Sequence, residues 1–313
     1  MLEIKKLKAA ITAENHISFR GGFAIATDGG TTIATPTTIE LGLAPRGMQL
    51  LKNVEASEGS VFTTTELNGQ LSVKLGRRTL KVAAMPVNDV PHNVAYGQQY
   101  TFDFAPQLRA FLKQCKGTSA DSLSAKVSST GGLVWWTDRS TLLATSLALP
   151  DFTVFVEDLT KVISVGEKIV SVSAGPHSVT FYYEDGSYAV ALCVEPMDLP
   201  LKQRVLALLA KAGDLSLHQW DLQPYAKTIK DMLKAMPAEQ VKLQSDAIVM
   251  HHENATLTEE VALPVGGTVV VKASALHAAI NLSCFECVET GPALYFRSDA
   301  VCVAAFRFTE TRP

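Results

Sequence analysis

One pattern repeats along this 313-residue chain: a short amphipathic helix, then a series of strands in which apolar and polar residues alternate, then the unit again. The first unit reads as a helix near Leu2–Thr12, strands at His16–Thr27 and Thr31–Thr35, a helix near Pro45–Ala56, and three more strands ending at Met85. The second reads as helix Pro106–Lys116, strands to Leu147, a helix starting near Phe155, and strands to Val194. The third has helices Pro224–Met236 and Ala273–Leu282, each followed by strands. Strands that follow one another without crossover helices cannot build a parallel sheet, so the pattern implies an α+β fold with antiparallel sheets packed on helix pairs. Two stretches rich in turn formers, Pro86–Gln99 and Glu195–Pro200, divide the chain into three expected domains, 1–94, 95–200 and 201–313.

Hydrophobic residues at 47% and charged residues at 19% are globular composition, and the length suits two or three cores. The N-terminal MLEIKKLKAAITAEN lacks the apolar stretch of a signal peptide, and no apolar run reaches the roughly 18–20 residues of a membrane span. Five cysteines, Cys115, Cys193, Cys284, Cys287 and Cys302, are an odd number in mostly apolar surroundings. They read as reduced thiols of a cytoplasmic protein.

A net charge of −3 makes any basic surface local. On the helix from Pro106, Leu108, Phe111, Leu112 and Cys115 form one apolar stripe, with Arg109, Lys113 and Lys116 opposite. On the helix from Pro224, Tyr225, Ile229, Met232, Leu233 and Met236 form the stripe, and Lys227, Lys230 and Lys234 oppose it. The first helix adds Lys5, Lys6 and Lys8, the second Arg46 and Lys52, and the fourth Lys161 beside Glu157 and Asp158. One cationic helix is an ordinary solvated face, but several at equivalent places in an acidic chain look built to meet a polyanion.

Motifs for enzymatic chemistry are weak. There is no phosphate-binding G-x-x-x-x-G-K-[ST], no H-E-x-x-H and no G-x-S-x-G, and Gly21-Gly22, Gly29-Gly30 and Gly266-Gly267 read as turns. Cys284-x-x-Cys287 and the pair His251-His252 could supply a metal- or thiol-dependent enzyme, but a strand would point the two cysteines to opposite faces. A structural repeat protein without a DNA role is the other alternative.

The three paired units resemble the β-type DNA sliding clamp, a processivity factor in which three similar domains form a monomer and two monomers close a ring. Trp136-Thr137-Asp138-Arg139-Ser140-Thr141-Leu142 is similar to the family's A-T-D-G-H-R-L turn, and Ala26-Thr27-Asp28-Gly29-Gly30 has the same character. Leu199-Pro200-Leu201-Lys202-Gln203-Arg204-Val205-Leu206 is similar to its F-P-D-Y-R-R-V-L linker. Val301–Phe308 is similar to the closing strand, with Ala304, Ala305 and Phe306 where the family has Met-Pro-Met. The resemblance implies a non-enzymatic, cofactor-free head-to-tail homodimer that encircles double-stranded DNA without reading its sequence. Its partners would be a DNA polymerase and a clamp loader, in the cytoplasm of a bacterial cell. A length below that of typical members suggests a divergent, phage-like origin. The cations above would face DNA. A partner-peptide pocket would be walled by Leu123, Thr137, Leu142, Pro200, Val205, Cys302, Ala304 and Phe306, with Arg307 at its rim.

Overall fold

A computed structural model describes residues 4–12, 15–55, 62–67, 70–75, 77–89, 99–101, 105–115, 124–196, 203–207, 217–290, 293–299 and 301–306. In chain order these form β1 (Ile17–Arg20), β2 (Phe23–Thr27), β3 (Thr31–Pro36), β4 (Leu43–Pro45), α1 (Gly47–Glu55), β5 (Phe62–Leu67), β6 (Gln70–Leu75) and β7 (Arg78–Pro86). Next come β8 (Gln99–Thr101), α2 (Ala105–Leu112), β9 (Lys126–Thr130), β10 (Leu133–Thr137), β11 (Thr141–Ser146), β12 (Phe152–Phe155) and α3 (Val156–Ile163). They are followed by β13 (Ile169–Ala174), β14 (Ser178–Tyr183), β15 (Tyr188–Leu192), β16 (Gln219–Asp221), α4 (Ala226–Ala235), β17 (Gln240–Leu243), β18 (Ala247–His252) and β19 (Ala255–Glu260). Last are β20 (Val269–Lys272), α5 (Ala273–Asn281), β21 (Glu286–Glu289), β22 (Ala293–Arg297) and β23 (Val301–Phe306). The architecture is α+β, and every registered strand pair is antiparallel.

The chain packs as two compact units, each drawn from two stretches: Met1–Arg109 with Ala148–Glu195, and Ala110–Leu147 with Pro196–Pro313. In the first unit one sheet runs β1-β2-β3-β15-β14-β13-β8 and a second runs β4-β7-β6-β5. In the second unit β9-β10-β11-β23-β22-β21-β16 follow one another in one sheet, and β19-β18-β17-β20 form another. β3 pairs with β15, Ala34 opposite Tyr188. β11 pairs with β23, Leu142 opposite Ala304. The sheets therefore run across the boundaries expected at 94/95 and 200/201. A strand left alone at the edge of a sequence repeat would expose a full row of backbone N–H and C=O groups. Pairing across the boundary removes that cost.

Three elements differ from the sequence reading. The expected strand His16–Thr27 is a hairpin, because Gly21 and Gly22 take φ of +60° and +79°. Two successive positive φ values make the tight turn that matches strand twist, and Gly131 and Gly132 repeat it between β9 and β10. The expected first helix is a 3-10 segment, Ile4–Ala10. Its three-residue period stacks Leu7 and Ala10, both buried, on one side. The helix expected from Pro224 begins as a 3-10 turn, Gln223–Tyr225, before α4.

Candidate functional site

The Thr-Asp turns found in the sequence are built alike in both units. After β2, Asp28 Oδ1 accepts from the backbone N–H of Gly30 and Thr31 at 3.1 and 2.7 Å, and Thr27 Oγ1 donates to Thr31 O at 3.0 Å. After β10, Asp138 Oδ1 accepts from Ser140 and Thr141 N–H at 3.1 and 2.7 Å, and Thr137 Oγ1 donates to Thr141 O at 2.8 Å. The free carboxylate oxygen of each turn then takes a lysine from far along the chain. Lys161 of α3 donates to Asp28 Oδ2 at 2.9 Å, and Lys272, which ends β20, donates to Asp138 Oδ2 at 2.8 Å. Desolvation pushes the Asp138 carboxyl up, but the hydrogen bonds from Lys272 and Ser140, the lysine charge and the Thr141 N–H outweigh it, and the net shift is downward. Asp158, buried and accepting from Thr31 Oγ1, goes the other way. Its desolvation outweighs Thr31 and Lys161, with Asp28 and Glu157 adding to the rise.

The second turn fixes one face of the sheet in the second unit. Residues two apart on each strand share a face. The register therefore brings Trp135 and Thr137 of β10, Leu142 and Ala144 of β11, Cys302, Ala304 and Phe306 of β23, and Tyr295 of β22 together. Val205, from the helical residues 203–207, packs on the same cluster. Five of the expected pocket residues, Leu142, Val205, Cys302, Ala304 and Phe306, thus meet in one apolar cluster, and Thr137 pairs with Leu142 at its edge. The cluster is filled from within. Leu142 is 1% exposed, Val205 3% and Ala304 0%, while the rings of Trp135 and Tyr295 occupy the room left by Ala144, Ala293 and Ala304. Surface remains at the half-buried Leu133, Leu217, Cys302 and Phe306. Trp135 and Tyr295 were not among the expected wall residues. Their alternation with Thr137 and Ala293 was the available signal, but the cross-strand register that joins them was not. Leu123, Pro200, Arg307 and Lys116 lie outside the described residues, as does the side chain of Lys5.

The candidate DNA-facing cations separate into two classes. Lys6 pairs with Asp185, and Lys161 is held by Asp28, Glu157 at 2.8 Å and Asp158 at 3.6 Å. Burial lowers the Lys161 pKa, but its carboxylate neighbours more than reverse this and hold it above the ordinary lysine value. Arg109 is also engaged. Its guanidinium donates to Ile163 O through Nε and Nη2 at 3.1 and 3.0 Å, and to Gly166 O. Ile163 O is one of the terminal carbonyls of α3, where a cation also meets the favourable end of the helix dipole, and Gly166 lies just beyond the helix. Tyr183 donates to Val162 O at the same place. Arg46 is half-buried, and Lys8 and Lys52 are exposed.

By contrast, Lys113, Lys227, Lys230 and Lys234, like Lys52, are exposed and enter no ion pair among the described residues. On α4 the apolar stripe holds as expected, with Ile229 and Met232 buried, and the lysines share the outer face with a single acid, Asp231.

The cysteine and histidine alternative finds no support in this geometry. Cys284 and Cys287 are both buried. Desolvation pushes the Cys284 thiol up to about 11, and Cys287 higher still, with Asp221 and Glu289 adding to the rise. A reactive cysteine needs the opposite shift. His251 and His252 are exposed on β18, and no group of three or more metal-ligating side chains forms among the described residues.

No known family profile matches the chain, and no curated protein matches it. Solved structures do. The DNA polymerase III subunit beta from Pseudomonas aeruginosa is 12% identical with a TM-score of 0.75, over 98% of this chain and 96% of that one. A beta clamp from Helicobacter pylori bound to a DNA ligase peptide is 14% identical with a TM-score of 0.72, over 98% and 96%. The DNA polymerase sliding clamp from Caulobacter crescentus is 12% identical with a TM-score of 0.74, over 98% and 97%. The chain has the fold of the bacterial sliding clamps.

Proposed function

We propose that the chain is a sliding clamp: a non-enzymatic ring that encircles duplex DNA and tethers a replicative polymerase to it. The observation that carries this reading is the outer face of α4, three exposed lysines that no acid among the described residues neutralises, within a clamp fold in which Lys161 and Arg109 are held by internal contacts. Such lysines contact phosphates electrostatically and read no bases, which lets the protein slide. Retention is topological, so affinity need not be high.

Among the described residues, β5 ends the four-stranded sheet of the first unit and β19 ends that of the second. The β6–β7 hairpin beside β5 carries exposed Lys74, Arg77, Arg78 and Lys81. The β18–β19 hairpin carries exposed Glu253, Glu259 and Glu260. Opposite charge on two different edges favours head-to-tail contact between copies, and a heterologous contact that closes makes a ring. The proposal includes the division into domains 1–94, 95–200 and 201–313, two of which would join in the ring through these edges.

The cluster of Trp135, Leu142, Tyr295 and Ala304, with Phe306 at its surface, is the candidate site for polymerase and clamp-loader peptides, as the H. pylori clamp takes a DNA ligase peptide. A ring of this kind works in the cytoplasm of a bacterium or of a phage-infected cell. The test joins particle imaging with primer extension. Ring-shaped dimers and longer products on circular primed DNA are expected. Monomers that leave product length unchanged would overturn the reading.

A further inference from the structure

The second unit holds a concave site away from the apolar cluster, where the end of α4, the start of α5 and the turn after α2 meet. The cavity measures about 190 Å³. Its lining is apolar at Leu233, Pro237, Ala238 and Ala273 and polar at Gln114, Ser274 and His277. The polar groups are wired together. Asn281 Nδ2 reaches Gln114 Oε1 at 3.2 Å and the His277 ring Nδ1 at 3.1 Å, so one amide orients both groups. Three of the exposed, unneutralised lysines flank it. Lys113 adjoins Gln114, Lys230 lies one helical turn before Leu233, and Lys234 lies three residues before Pro237.

An apolar lining alone would suit many ligands, and a lysine cluster alone is a solvated face. Together they have a narrower meaning. Apolar lining can take the face of a planar ring. Amide and hydroxyl groups of the lining meet the ring's edge, and lysines at both ends meet phosphates on either side of it. Unpaired nucleic acid is held with bases against side-chain platforms and the backbone along cations, and here the platform would be the aliphatic lining with the His277 imidazole as its one ring. We infer that this recess binds an unpaired base of a DNA strand whose neighbouring phosphates lie on Lys113, Lys230 and Lys234. The inference rests on the clamp reading for the lysines and adds to it a contact with single-stranded DNA, such as the unpaired template beside a primer end.

The experiment fills the recess and leaves the lysines in place. Ala238→Trp adds a ring to the lining, and the double variant Gln114→Ala/His277→Ala removes polar lining groups without adding bulk. Binding of labelled dT12 and of a labelled hairpin duplex is measured for the parent and both variants, with thermal melting as the fold control. Ala238→Trp should weaken dT12 binding about tenfold, in line with the contribution of one base contact, with duplex binding unchanged. The double variant should weaken dT12 binding severalfold. Parental affinity of a normally melting Ala238→Trp for dT12 overturns the inference. If that variant melts early, parental affinity of the double variant overturns it instead. A parent that binds no duplex counts against the clamp reading, while the dT12 comparison still judges the recess.

Discussion

Lys272 Nζ donates to Asp138 Oδ2 at 2.8 Å and ties the turn between β10 and β11 to the residue from which α5 begins. The Asp138 carboxylate also accepts two backbone N–H groups, so its charged form is stabilised in the fold and its pKa lies below the ordinary value. Stability from a depressed carboxyl is fully present above the unfolded pKa of about 3.9 and is lost as pH falls through the folded one. Asp138→Asn should therefore cost about 1–2 kcal/mol at pH 7 and little at the acid end of the range. Urea denaturation at both pH values checks this. An equal cost at both would mean that the lysine contact contributes nothing.

Asp158 carries the opposite sign. Its raised pKa means the fold prefers the protonated acid, so the cost of its charge is full at neutral pH and is relieved as pH falls through the folded pKa toward about 4. Asp158→Asn keeps a side-chain acceptor for Thr31 and removes the charge. The variant should be at least as stable as the parent at pH 7, with a flatter dependence on pH between 4 and 7. Melting curves across that range decide.

Arg109 and Lys113, one helical turn apart, should separate by function. Arg109→Ala leaves the carbonyls of Ile163 and Gly166 without their donor and should destabilise the protein by about 1–3 kcal/mol. Lys113→Ala should change stability by no more than about 0.5 kcal/mol. Equal melting temperatures for the two variants would remove Arg109 from its place at the end of α3.

Replacing Lys227, Lys230 and Lys234 together by Ala should leave the melt unchanged, because all three lie off the buried stripe of Ile229 and Met232. Duplex affinity should fall. The slope of its logarithm against the logarithm of salt should become shallower by about 0.9 for each phosphate that the variant no longer neutralises. Titrations at several salt concentrations give that slope, and an unchanged slope would make the outer face of α4 an ordinary solvated surface.

Leu142 and Phe306 occupy one cluster at different depths. Leu142→Ala opens a cavity in a buried site and should cost about 2–5 kcal/mol of stability. Phe306 is half-buried at the end of β23, so Phe306→Ala should affect the melt less. It should weaken a peptide from the cognate polymerase by about 1–3 kcal/mol, the range of an apolar anchor. Calorimetric titration of the Phe306 variant with that peptide is the check. Undiminished affinity would place the partner site elsewhere.

Much of the fold was legible because it is local. Two-residue alternation marks strands, 3.6-residue stripes mark the helices, and the Thr-Asp turns close within five residues, so their hydrogen bonds follow from spacing alone. The glycine pair at Gly21-Gly22 was visible too, yet alternation on both sides of it reads as one long strand, and only the positive φ values break that strand in two. The stripe on α4 placed its lysines outward without further information.

Which cations remain available to a partner was not legible, because the groups that engage the others come from distant sequence. Lys161 meets Asp28 from 133 residues away, Lys6 meets Asp185 from 179, and Arg109 meets Ile163 from 54. The apolar cluster is of the same kind: Leu142 faces Ala304 only because β11 and β23 pair in one register, and a shift of one residue would turn each to the other face. By itself the sequence determined the class of fold, the turns and the outward lysines of α4, since periodicity and turn geometry act over a few residues. Tertiary structure alone decided which charges are neutralised and which apolar residues meet, since both depend on contacts that only closure of the long-range sheets creates.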